Sequence, residues 1–219
     1  MKDKSFFKAN NYRFSVDLLY SNRIKETGNF VKIKNYAVSD YEKLNDFYGY
    51  HIDFCVAINP AKTFFVGALY NNLKSETVFK NVDLTDNGGI SYINGNVTRK
   101  IEMNTVGLKG MFLFPSKRAF NNLYLQLGFN LTNYNDEYFT TKSYLSFQSM
   151  AYSPFIGLSY DFRLQKHLAV GFNAMLELGS IQEINSNQNG QLRTYNLAGS
   201  GLSILRITNG IGLKYYFGK

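Results

Sequence analysis

The sequence predicts an all-β protein, a single antiparallel up-and-down β-barrel of eight strands, on three observations. Apolar and polar residues alternate along eight segments of the 219-residue chain. Aromatic residues reach 16%, with 17 Tyr and 19 Phe. The connections between the segments are alternately long and short. Alternation with a period of two gives a strand one apolar and one polar face, and it cannot make a helical stripe.

The alternation is clearest in 123–132, where Leu and Phe at odd positions are separated by Tyr, Gln, Gly, Asn and Thr. The same pattern predicts seven further strands, at 14–20, 48–58, 64–70, 106–114, 156–162, 170–178 and 211–217. No segment approaches the roughly 20 apolar residues of a membrane helix. A helical membrane protein is therefore excluded.

The connections divide into two classes. Short ones at 59–62, 115–122 and 163–166 are predicted to be hairpin turns. Long polar segments occupy 22–46, 72–100, 133–148 and 180–204. Two of these carry turn signals, at 86–89 and 187–190, so their flanking residues are expected to extend the pairing beyond the common sheet.

Closure into a barrel removes unpaired strand edges, but alternation alone does not say which face points inward. An inward apolar face would make a soluble lipocalin-like carrier, and an outward one a transmembrane barrel. The other face is rich in glycine and thin in charge, as expected of an interior only just wide enough for side chains. We therefore expect a luminal network of paired charges, formed by Arg13, Asp17, Asp53, Lys109, Asp161, Glu177 and Lys214.

The apolar face carries no Asp, Glu, Lys or Arg in the predicted strands, and its aromatic residues gather near the strand ends. Two aromatic girdles of this kind mark the edges of a membrane barrel. The net charge of +8 is scattered along the chain, so no nucleic-acid partner is expected. A single cysteine, Cys55, excludes a disulfide framework and a thiolate metal cluster.

The last strand, 211–219, alternates apolar residues up to Phe217 and resembles the carboxy-terminal signal of outer-membrane barrels. The chain as a whole resembles OmpA/OmpX-type eight-stranded outer-membrane proteins, in the style of Bacteroidota "outer membrane β-barrel" or "porin family" proteins. It departs from the pattern where Gly218 and Lys219 follow Phe217, and where alternation places Asn209 on the lipid side unless a bulge intervenes.

The resemblance covers 11–219 and implies a barrel domain there, with long extracellular loops and short periplasmic turns. It further implies that 1–10 is a periplasmic N-terminal segment, that a signal peptide was removed, and that the protein lies in the outer membrane of a Gram-negative bacterium.

Catalytic constellations are few because the chain has only two histidines. His51 faces the polar side next to Asp53, but neither an oriented base nor an oxyanion site is evident. We expect no catalytic, cofactor or metal residues. A small lipid-modifying enzyme stays open as an alternative, as does the lipocalin-like carrier.

Function is expected in the loops. The first has more apolar residues than a solvated loop requires, namely Phe30, Val31, Ile33 and Tyr36. This favours a scaffold that binds through its extracellular loops, as an adhesion protein or an accessory subunit, and not a general porin. The expected partners are outer-membrane lipid, lipopolysaccharide and other outer-membrane proteins.

Overall fold

A computed structural model describes residues 10–27, 46–85, 91–114, 121–139, 144–181, 183–188, 190–196 and 202–218. Within these residues every regular element is a strand. They are β1 Tyr12–Thr27, β2 Asp46–Ala57, β3 Phe64–Thr85, β4 Ser91–Phe114, β5 Asn121–Phe139, β6 Tyr144–Arg163, β7 Leu168–Ile181, β8 Glu183–Gln188, β9 Gln191–Asn196 and β10 Leu202–Phe217. Among the described residues no helix is long and apolar enough to cross a membrane.

Eight of these strands close into the predicted antiparallel barrel. The order runs β5-β4-β3-β2-β1-β10-β7-β6, and β6 pairs with β5 to complete the ring. A row of paired residues that starts at Arg13 on β1 passes once around the ring and returns to β1 at Arg23, ten residues further on. With eight strands, this stagger corresponds to a strand tilt of about 40°.

The predicted strand pattern is confirmed, but the strands reach further than predicted. β3 continues to Thr85 and β4 begins at Ser91, so most of the polar segment 72–100 is strand. β10 begins at Leu202, well before 211. Apolar alternation on the outer face stops where a strand leaves the lipid, whereas backbone pairing continues in water. The alternation thus marks the membrane-spanning part of each strand.

The segment 180–204 contains a further hairpin, β8–β9. The predicted turn lies between these strands, and Gly190 has a φ of +90°, which favours glycine. β8 pairs with the extracellular end of β6, from Leu145 with Gln188 to Gln148 with Asn185. The hairpin therefore extends the sheet without belonging to the ring.

At the periplasmic end, the connection between β2 and β3 is a tight turn. The side chain of Asn59 accepts hydrogen bonds from the backbone N–H groups of Thr63 and Phe64, each at 2.9 Å. The connection between β6 and β7 is equally short, from residue 164 to residue 167. Residues 115–120 of the third predicted turn lie outside the described residues.

Large apolar side chains cover the outside of the barrel, so the lipocalin-like alternative is wrong. Leu18 and Leu108 are each 72% exposed, and many others on the same face are close to half exposed. Asn209 shares this face, between Tyr20 and Ala174, and the pairing is continuous there. No bulge intervenes at Asn209, so this residue lies on the lipid side, where alternation places it. The register between β1 and β10 shifts only between Arg23 and Lys25.

Candidate functional site: the filled lumen and the extracellular rim

The interior of the barrel is built from the polar face of each strand. Arg13 on β1 lies at its centre and connects three strands. Its guanidinium Nη1 lies 3.0 Å from Oδ1 of Asp53 on β2, and its Nε donates to Oδ2 of Asp161 on β6 at 2.9 Å. All three side chains are fully buried.

The remaining cations of this network each meet a carboxylate. Lys109 Nζ on β4 lies 2.8 Å from Asp53 Oδ2 and 3.2 Å from Gln126 Oε1. Lys214 Nζ on β10 donates to Asp17 Oδ1 and to Ser15 Oγ. Asn173 connects the group around Lys109 with the group around Lys214. Its amide donates to Asp17 at 2.6 Å and accepts from Gln126 at 3.3 Å.

The structure thus brings together six of the seven charged residues that the sequence places in the lumen. Glu177 lies apart from them and pairs with Arg206 on β10, with 2.6 Å between Arg206 Nη2 and Glu177 Oε2. Sequence reasoning missed Arg206 because it placed 180–204 in a loop and began the last strand at 211. With Arg206 included, four buried cations face four buried carboxylates, a balance that burial of charge requires.

An apolar layer lies above this network, on the extracellular side. Seven of the eight ring strands contribute to it, with Leu19, Phe47, Leu73, Ile101, Met103, Tyr134, Ala151 and Ile181. Along β4 the order is Lys109, then Met103 and Ile101, then Arg99. We call these eight residues the apolar seal, because they fill the barrel between the ionic network and the extracellular space.

A further buried ion pair, Arg99–Asp136, lies beyond the apolar seal. Arg99 Nη2 and Nε donate to the two oxygens of Asp136 at 2.6 and 2.9 Å, a bidentate geometry. Burial alone would lower the pKa of Arg99, but the hydrogen bonds and charge of Asp136 outweigh burial and raise that pKa. Neither residue was singled out from the sequence, because 72–100 and 133–148 were assigned to loops.

His51 and Asp53, the acid–base pair of the enzyme alternative, lie inside the network. His51 Nε2 is 2.7 Å from Asp53 Oδ2, and its other ring nitrogen contacts Asn71 Oδ1. Asp17 joins them, so three potential metal-ligand atoms lie within 4.8 Å of one another. The oxygens of both carboxylates already accept hydrogen bonds from Lys214, Asn173, Arg13 and Lys109. This arrangement is a saturated hydrogen-bond network.

The exposed apolar side chains around Leu18 and Leu108 form a band around the outside of the barrel, which we call the apolar belt. Aromatic rings line both of its edges. On the extracellular side Tyr20 packs on Tyr48 with ring centroids 5.4 Å apart, and Tyr50 packs on Tyr70 at 6.0 Å. On the periplasmic side Tyr12 stacks on Phe217 at 5.2 Å. Amphipathic rings favour the membrane interface, so these two rims mark the edges of the bilayer.

Solved structures with the same architecture come from bacterial outer membranes. A major outer membrane protein from Thermus thermophilus matches with a TM-score of 0.62 at 9% identity, over 94% of this chain and 99% of that one. Ail, the attachment invasion locus protein of Yersinia pestis, matches with a TM-score of 0.53 at 12% identity, over 94% of this chain and 99% of that one. This chain has the fold of outer-membrane β-barrels. No protein-family model matches it, and neither does any curated protein sequence.

The resemblance to OmpA/OmpX-type barrels is therefore confirmed at the level of the fold, in agreement with the predicted location in the outer membrane of a Gram-negative bacterium. At identities of 9% and 12%, the likeness concerns architecture alone. The Bacteroidota style stays a prediction. The four apolar residues of the first loop, Phe30, Val31, Ile33 and Tyr36, lie outside the described residues of the barrel.

Proposed function

We propose that this barrel is a binding scaffold, acting on the extracellular side as an adhesion protein or as an accessory subunit of an outer-membrane complex. The observation that carries the proposal is how far β3 and β4 extend on the extracellular side. The pairing of β2 with β3 ends at Lys74, and β3 continues eleven residues further, to Thr85. At about 3.3 Å per residue, β3 and its partner β4 extend roughly 35 Å beyond the last pair of β3 with β2.

The interior supports a scaffold more than a pore or an enzyme. The ionic network and the apolar seal fill the lumen along its described length, so there is little room for a general aqueous channel. His51 and Asp53 are each 1% exposed, below the seal, where a lipid or peptide substrate from outside would not reach them. Paired and hydrogen-bonded charges in this position act as a structural plug.

The loop between β1 and β2 is the proposed contact region, through Phe30, Val31, Ile33 and Tyr36. Apolar side chains concentrated in a loop are typical of a partner surface. Ail is named for attachment and invasion, and a related role for this barrel is part of the proposal. The apolar belt contacts outer-membrane lipid, and lipopolysaccharide is its expected neighbour in the outer leaflet.

The test replaces 28–45 by a tight turn in a barrel displayed on cells. We expect this variant to keep heat-modifiable gel migration, which reports a folded barrel, and to lose both surface attachment and co-purifying outer-membrane proteins. His51→Gln, checked for the same gel shift, serves as the matched variant for catalysis and should keep every partner. If the loop variant keeps its partners while His51→Gln abolishes a change in lipid A mass, the lipid-modifying enzyme replaces the scaffold.

A further inference from the structure

The outer wall of the barrel carries a cleft of about 570 Å³ where β5 and β6 meet the β8–β9 hairpin. It lies on the side of the ring opposite β1, because β5 is four strands away from β1 in either direction. The cleft is therefore across the ring from the ends of β1 and β2, and ligand binding there does not rest on the proposed function. Its volume falls in the range of about 300–1,000 Å³ that is usual for small-molecule sites.

The cleft exists because the pairing of β6 changes partner at this point. Ala151 pairs with Ile181 of β7, and Gln148 pairs with Asn185 of β8. Three steps along β6 therefore face four steps along β7 and β8, which is one extra residue. Ser149 bridges the interrupted ladder, since its hydroxyl donates to the carbonyl oxygen of Glu183 at 2.6 Å. Such an irregularity bends the hairpin away and opens a concave surface.

The lining has the chemistry of a sugar site. Amide side chains come from four strands, with Asn133 on β5, Gln148 on β6, Asn185 on β8 and Asn196 on β9. An amide side chain carries both donors and an acceptor, as the adjacent hydroxyl groups of a saccharide require. The Asn185 oxygen already accepts a hydrogen bond from Thr194 Oγ1 at 2.8 Å, so Asn133 and Gln148 are the main candidates for sugar contacts. Tyr152, which is 61% exposed, adds a ring with an apolar face and a polar tip.

The charge of the cleft narrows the ligand class. Glu183 is the one charged side chain among the described residues that line the cleft. A carboxylate repels phosphate and sulfate groups and attracts an ammonium group. The ligand class is therefore a neutral sugar or an amino sugar, and not a polyanion.

The position of the cleft relative to the bilayer indicates a glycan at the membrane surface as its ligand. Tyr152 lies at the extracellular edge of the apolar belt, and Met150 and Gln148 follow it outward along β6. Asn133 faces Met150 across the β5–β6 pair. The opening thus lies directly above the lipid headgroups.

We propose that this cleft binds a neutral or amino-sugar oligosaccharide at the surface of the outer membrane. Such a glycan has two sources. One is the sugar portion of a lipid in the same leaflet, and the other is a free or cell-attached glycan that approaches from outside. Both present the same hydroxyl and amino groups to the cleft.

The test uses the whole barrel, refolded in detergent free of lipopolysaccharide and titrated calorimetrically with two probes. One is the oligosaccharide released from lipopolysaccharide by mild acid, then dephosphorylated and reduced at its sugar carboxylates, and the other is chitotetraose. We expect saturable binding of at least one probe. Asn133→Ala and Gln148→Ala should each weaken it about tenfold, the cost of one or two lost hydrogen bonds.

Asn96→Ala is the matched control, because Asn96 is an exposed asparagine on β4 outside the cleft. It should bind like the unmodified barrel, as should the variant lacking 28–45. Binding of the released oligosaccharide alone assigns the site to lipid-linked glycan, and binding of chitotetraose assigns it to free glycan. The proposal is wrong if neither probe saturates, or if Asn133→Ala and Gln148→Ala bind as tightly as Asn96→Ala.

Discussion

Lys109 and Lys74 lie on the neighbouring strands β4 and β3, and each is paired with a carboxylate, but in opposite environments. The Lys109–Asp53 pair is fully buried at 2.8 Å. The Lys74–Glu102 pair, at 3.1 Å, has side chains that are 62% and 38% exposed. Removing a buried partner leaves an uncompensated charge, whereas an exposed pair contributes little.

We predict that Lys109→Met lowers the free energy of unfolding by about 3 kcal/mol, at the lower end of the usual range because Asp53 keeps Arg13. Lys74→Met should change it by less than about 1 kcal/mol. Denaturant unfolding of the barrel in phospholipid vesicles measures both. Equal losses for the two variants would mean that Lys109 is hydrated.

Gly49 on β2 shows how tightly the wall is packed. A Cβ at this position would overlap the backbone carbonyl oxygen of Asn72 on β3, and a backbone atom in a paired strand cannot move aside. At Gly110 on β4 the nearest atom to a Cβ is the ring of Phe64, at 3.4 Å, an ordinary contact.

We therefore predict that Gly49→Ala destabilises the barrel by about 1–3 kcal/mol, the usual cost of overpacking. Gly110→Ala should be neutral or slightly stabilising, since alanine restricts the unfolded chain. The same unfolding assay compares them. A Gly49→Ala barrel as stable as Gly110→Ala would show that β2 and β3 can separate without cost.

Alternation put seven charged residues on the inner face, because the side-chain period of a strand is two regardless of partners. It did not identify which cation meets which carboxylate. Arg13 takes its partners from β2 and β6, 40 and 148 residues away in the chain. Such pairing depends on the stagger of the closed ring, which no local pattern records.

At the level of elements, the β8–β9 hairpin is the part of the sheet that the ring does not need. It pairs with the described chain through four residues of β6, from Leu145 to Gln148. The pairs of β6 with β7 begin at Ala151, outside this contact. The pairs of β6 with β5 use the opposite edge of β6 and do not depend on the hairpin.

We predict that replacing 183–196 by a short turn leaves a barrel that still migrates faster before heating than after, because every strand of the ring keeps both neighbours. The same variant should lose the saccharide binding proposed for the cleft. Failure to assemble in membranes would show that the hairpin takes part in ring closure.

The sequence predicted the eight ring strands but not the extracellular extensions of β1, β3, β4, β5, β6 and β10, and the physical reason is the solvent. In lipid, only apolar side chains are tolerated on the outer face, so alternation is strict. Above the membrane the outer face meets water, so Lys74, Glu76 and Lys100 are accepted there. The inner face holds both apolar and charged side chains, such as Ile101 and Arg99. Composition alone does not distinguish such strands from loops.

For the molecule as a whole, the filled lumen predicts a membrane protein without a large pore. Incorporated into planar bilayers, the barrel should show no large stable conductance steps, because side chains occupy the interior from Arg13 up to the apolar seal. A general porin in the same bilayers is the positive control. Steps of porin size from the purified barrel would mean that water passes the seal.

The pairing of β1 with β10 joins the two ends of the fold. Tyr12 pairs with Phe217, 205 residues further along the chain. Every other neighbouring pair in the ring except β7 with β10 is a simple hairpin between consecutive strands. Hairpins bring together residues that are near in the chain, whereas this seam joins the most distant ones, and distant contacts form slowly.

Because its contacts are the most distant in the chain, the seam between β1 and β10 is expected to close last. Until the seam closes, β1 and β10 both present unpaired backbone groups, which are templates for joining another chain. The newly made protein must therefore be held apart from its copies up to the moment when its last strand reaches its first. The recognisable pattern at Phe217 lies on one side of that seam, where an assembly factor could hold the open edge until closure.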